Sequence, residues 1–85
     1  MVITITGCQH LDFDTSDGKH IQGRKFHYVY KSDRPNDEGL LTDTLFIGTG
    51  SPVKLPTEMP FNSEYELVYD FNGRRAYLTE IRLVE

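Results

Sequence analysis

The chain has no tryptophan and a single cysteine, Cys8. One cysteine excludes an intramolecular disulfide and a multi-cysteine zinc site. No apolar run approaches the roughly 20 residues of a membrane-spanning helix. The opening residues, Met1-Val2-Ile3-Thr4-Ile5-Thr6-Gly7, lack the basic region of a secretory signal. Helical periodicity is missing as well, because no window repeats apolar side chains on one helical face over three turns. The histidines are His10, His20 and His27, and none has the His-x-x-x-His or Cys-x-x-Cys spacing of a metal site. Basic residues are the minority, with Lys plus Arg at 9, Asp plus Glu at 13 and a net charge of −4. An acidic total argues at first sight against nucleic acid. These absences predict a cytoplasmic protein with no membrane segment, no metal and no cofactor.

What is present is β-forming. Gly and Pro punctuate the chain at short intervals, and β-branched and aromatic residues fill the gaps. Alternation predicts strands over Val2–Thr6, Leu11–Thr15, Lys25–Lys31, Leu40–Ile47, Glu64–Asp70 and Arg75–Val84. The continuously apolar Leu45-Phe46-Ile47 suggests a central strand. Asp17-Gly18 and Asn72-Gly73 are turn signals, the second being a strong hairpin signal. Pro52, Pro56 and Pro60 make Val53–Asn62 an irregular connection with room for one helical turn. In the last strand, Tyr77, Ile81 and Leu83 share one parity, and Ala76, Leu78, Glu80 and Arg82 share the other.

Five or six short strands in 85 residues fit one all-β domain over residues 1–85. The natural size match is a small five-stranded OB-like Greek-key barrel with protruding hairpins. A chain of this length buries only about 60% of its unfolded surface, so a lone core is marginal and oligomerisation is one remedy.

Charge is unevenly placed. Residues 17–34 carry a net +3, residues 35–70 a net −6, residues 71–85 a net +1 and residues 1–16 a net −2. The basic segment also holds Phe26, Tyr28 and Tyr30. Cations that track phosphates, interleaved with rings that stack on bases, are the composition of a single-strand-binding face. Lys19, His20, Arg24, Lys25, Phe26 and Tyr28 are its candidates. The shared parity of Phe26, Tyr28 and Tyr30 fits the core face of an amphipathic strand equally well.

Catalytic signals are weak. Cys8 and His10 lie two residues apart, but no third group orients them as a thiol–imidazole pair. Gly48-Thr49-Gly50 lacks the lysine and helix start of a phosphate loop. No enzyme is expected.

Three stretches carry a likeness to a known family. Phe13, a turn at Gly18, Gln22-Gly23-Arg24 and Phe26 form the first. Tyr65-Glu66-Leu67 is the second, and Leu78-Thr79-Glu80-Ile81-Arg82-Leu83-Val84 is the third. With them the chain resembles the gene V type single-stranded-DNA-binding proteins of filamentous phages. The resemblance implies an OB-like barrel, a homodimer and cooperative coating of single-stranded DNA during replication; stacking and phosphate contact would serve RNA equally. It implies a DNA-binding wing over Ser16–Phe26, with Arg24 and Phe26 at contact positions, and Arg82 in the last strand as a further contact. It also implies a dyad hairpin over Asp70–Tyr77, with Phe71, Arg74 and Arg75 near its tip. Ser16, Ile21 and Glu80 stand where the family has basic residues, which removes phosphate contacts. The competing reading is a small β-domain that binds a protein partner and has no affinity for nucleic acid.

Overall fold

The alternating segments form five antiparallel strands and no helix, and the computed structural model describes residues 1–85 throughout. They are β1 (Val2–Asp14), β2 (His20–Lys31), β3 (Leu40–Gly48), β4 (Ser63–Asn72) and β5 (Arg75–Leu83). The sheet order is β3-β2-β1-β4-β5. Three hairpin-connected strands followed by a fourth that returns beside the first is the Greek-key order.

The expected barrel does not close. No ladder joins β3 to β5. Only Lys54, in the connection between β3 and β4, reaches β5: its amide donates to Thr79 O at 3.0 Å, and its carbonyl accepts from Ile81 N at 2.9 Å. The three prolines explain the gap, because they deprive this connection of the amides and the φ freedom of a full strand. The connection contains no helical turn. β3 is accordingly an edge strand, not a central one.

Two irregularities decide which side chains face inward. The first two predicted strands are one long β1, with a register shift between Ile5 and Gly7 where it pairs with β2. The extra residue flips the parity, so Ile3 and Ile5 share the inner face with Cys8, His10, Asp12 and Asp14. A second shift on β4–β5 pairs Val68 with Glu80 and Tyr69 with Leu78, leaving Thr79 unpaired. Leu78 therefore joins Ile81 and Leu83 on the inner face, while Tyr77 joins Glu80 and Arg82 on the outer one. This corrects the parity expected for the last strand.

The inner face forms the core: Ile3, Ile5, Phe26, Tyr28, Ile47, Tyr65, Leu67 and Ile81. Tyr65, fully buried, donates its hydroxyl to Pro60 O at 2.7 Å, so no polar side-chain atom is orphaned. The Cα radius of gyration is 14.4 Å, against about 12 Å for a compact chain of this length. The accessible surface is 6574 Å², about 1,400 Å² more than a folded monomer of this mass exposes on average. Both excesses fit an open sheet that does not close into a barrel.

Candidate nucleic-acid interface

The residues that the resemblance assigns to a wing, Ser16–Phe26, lie in the β1–β2 hairpin. Its loop is held by Thr15, whose amide donates to Lys19 O at 2.7 Å and whose hydroxyl accepts from Lys19 N at 3.1 Å. The Thr15 hydroxyl also donates to Asp17, and this hydrogen bond lowers the Asp17 pKa below the usual carboxylate value. Gly18 takes the positive φ of 86° that turns the loop.

Two of the wing's four basic residues contact its own carboxylates, while Arg24 and Lys25 are in no ion pair. His20 meets Asp12 Oδ1 through Nε2 at 2.8 Å and Asp14 Oδ1 through Nδ1 at 2.7 Å. Lys19 lies 4.0 Å from Asp17. The cause is register: Asp14 pairs with His20 and Asp12 with Gln22 across the hairpin. Counted across both strands, residues 12–25 hold three acids and three bases, a net charge of zero with His20 neutral.

The wing's expected stacking rings are not available. Phe26 is 1% exposed and Tyr28 8%, both in the core. A ring without an exposed face cannot stack on a base, so these two assignments are corrected to core residues. The Arg24 guanidinium lies 5.1 Å from the Phe26 ring centroid and covers that end of the core. Arg24 also lines a cleft of about 500 Å³ with His10, Asp12, Gln22 and Val53. Burial raises the Tyr28 pKa, and the neighbouring Asp43, Tyr69 and Tyr30 raise it further. Burial alone raises the pKa of Tyr65.

Lys25 lies on the opposite, outer face, paired with Gln9 and Phe46. Arg82 is on the outer face of β5, donating to Glu80 Oε1 at 3.1 Å and lying 4.0 Å from Glu66. Its charge is matched by carboxylates on its own sheet. The expected contact residues thus fall on both faces of the sheet and do not converge on one surface.

The β4–β5 hairpin differs. Its two-residue loop is Gly73-Arg74, closed by the Asn72–Arg75 pair. Gly73 has φ of 65°, the requirement of a type II′ turn at its first loop position. Phe71 is 68% exposed, Tyr77 47% and Tyr69 44%. Arg74 and Arg75 are exposed and take part in no ion pair with a carboxylate. Tyr69 and Phe71 extend the inner face past the core, and Tyr77 lies on the outer face. The sequence pointed to Phe71, Arg74 and Arg75 through the resemblance. It gave no role to Tyr69 or Tyr77, although the alternation around Asn72-Gly73 places both beside the tip.

Compared with protein-family models, with characterised proteins and with solved structures, the chain matches none. The likeness to the gene V type proteins therefore rests on the three sequence stretches alone.

Proposed function

We propose that this chain binds single-stranded DNA without reading its sequence, through phosphate contacts and base stacking. The observation that carries the reading is the β4–β5 hairpin tip, where unpaired Arg74 and Arg75 adjoin the exposed rings of Phe71, Tyr77 and Tyr69. Free guanidinium groups release counterions from phosphate, and an exposed ring contributes about 1–3 kcal/mol per stacked base. Neither contact depends on base identity, and a 2′-hydroxyl does not block either, so oligo(U) is expected to bind as well. A dimer belongs to the same reading.

The test is an anisotropy titration of labelled oligo(dT) and of a duplex of equal length at two salt concentrations. The reading predicts preference for the single strand and weakening with salt. No binding at tens of micromolar protein would reject it.

A protein-interaction module is the second reading, and one observation favours it. β3 is an unpaired edge of nine residues, Leu40–Gly48, without proline or lysine. Such an edge can accept an added strand. It is partly guarded, because the Thr44 amide already donates to the Asp43 carboxylate at 2.7 Å. Recovery of a protein partner together with absent oligonucleotide binding would select this reading.

A further inference from the structure

The outer face of β1, β2 and β3 has a property that the acidic total conceals. The ladder fixes its members in rows. Phe13 pairs with Ile21, Leu11 with Gly23 and Gly48, Gln9 with Lys25 and Phe46, Gly7 with His27 and Thr44, and Thr4 with Val29 and Thr42. Lys31 and Leu40 close the array. None of these positions is Asp or Glu, although the chain holds 13 acids. The carboxylates of these strands, Asp12, Asp14 and Asp43, have the opposite parity. The adjoining half of the same face, on β4 and β5, carries Glu64, Glu66 and Glu80 with Arg82. The outer face is therefore divided into a basic, aromatic half and an acidic half.

Phe46 is the most constrained ring of the basic half. Its Cζ lies 2.8 Å from where a Cβ on Gly23 would stand, and its Cε1 is 3.6 Å from the corresponding point on Gly48. The ring therefore leans over a pair of facing glycines, which hold it close to bare backbone. It remains 44% exposed, and Phe13 is 48% exposed. Lys25 is in no ion pair.

We propose that this face is a base-stacking platform for single-stranded nucleic acid, with Phe46 and Phe13 as the stacking rings and Lys25, in the same row as Phe46, as the phosphate contact. It rests on the single-strand reading and adds a surface distinct from the hairpin tip. Charge complementarity selects the occupant: a polyanion with flat apolar groups matches unpaired cations, exposed rings and the absence of carboxylates. The acidic half beside it repels the same strand and so confines its path to β1–β3.

The test titrates the full chain, wild type and variants, with oligo(dT) at low salt. Phe46→Leu and Phe13→Leu keep apolar bulk on the face and remove the ring. Each is expected to weaken binding about fivefold or more, the lower bound for one lost stack. Lys25→Gln is expected to flatten the slope of log affinity against log salt by about one. Urea midpoints, compared with wild type, separate a binding effect from a folding effect. A ring that serves only to cover Gly23 and Gly48 would shift the Phe46→Leu midpoint and leave affinity unchanged. Wild-type binding with all three variants within twofold overturns the platform and leaves the hairpin-tip reading standing. Absence of wild-type binding overturns both. Photocrosslinks from a 5-iodouracil oligomer that map to residues 11–25 and 40–48 support the platform, and crosslinks confined to residues 69–77 overturn it.

Discussion

The two protruding hairpins make opposite use of the same residue types. The β1–β2 hairpin holds Lys19, His20, Arg24 and Lys25, yet carboxylates contact Lys19 and His20, Arg24 lies over the core ring of Phe26, and Tyr28 is in the core too, which leaves Lys25 on the outer face as its free cation. The β4–β5 hairpin holds only Arg74 and Arg75, but both are unpaired and its rings are exposed. A cation engaged by a neighbouring carboxylate has to exchange that partner before it binds phosphate, and an exposed ion pair contributes little in either state. On the proposed reading, binding follows the free groups and not the count of basic residues.

The largest effect that would sharpen this contrast is on stability. Phe26→Ala removes a fully buried ring and is expected to cost about 3–5 kcal/mol in a urea melt. Phe71→Ala, at a 68% exposed position, should cost less than about 0.5 kcal/mol. If Phe26→Ala spared stability and Phe71→Ala did not, the division into core ring and surface ring would be wrong.

Gly23→Ala comes next. An added Cβ would stand 2.4 Å from Ile47 O and 2.7 Å from Gly48 Cα, both backbone atoms. β2 and β3 would have to separate, at a cost of about 1–3 kcal/mol. A denaturation midpoint equal to wild type would show that the strands do not approach as closely as described.

A smaller effect concerns alkaline pH. Burial raises the pKa of Tyr28 and of Tyr65 above the usual value of 10.0. The neutral phenol is the form the fold favours, so this stability is complete below the unfolded pKa and is lost as pH rises through the folded one. Melts above pH 10 should show a falling midpoint that tracks phenolate absorbance, and Tyr28→Phe should reduce the dependence. The smallest effect belongs to the wing loop. Asp17 is depressed chiefly by its hydrogen bond from Thr15, so its contribution is present above the usual value of 3.8 and fades as pH falls through the lowered one. Thr15→Val should move the Asp17 titration, followed by NMR, back toward that value.

The strands and the Greek-key class were legible in the sequence, because alternation and turn residues are local signals. The parity of β2 was legible too, but its polarity was not. Phe26, Tyr28 and Tyr30 on one face and Lys25, His27 and Val29 on the other are both plausible surfaces until the ladder is known. Bulges beside Gly7 and at Thr79 shifted the faces of β1 and β5, and no single residue type announces a bulge. The net +3 of residues 17–34 was correct along the chain and misleading in space, since Asp12 and Asp14 lie across the hairpin from that segment. Barrel closure failed for a reason the prolines had already indicated: the segment that would bridge β3 and β5 supplies only Lys54.

Paired charge reversals on the two hairpins test the central claim most directly. Arg74→Glu with Arg75→Glu on the tip, and Lys19→Glu on the wing, would be titrated with oligo(dT) at low salt beside wild type. The account predicts a loss of tenfold or more for the tip variant, at about 1.4 kcal/mol per tenfold, and less than about twofold for the wing variant. A large loss from Lys19→Glu with an unchanged tip variant would contradict it and return the interface to the wing.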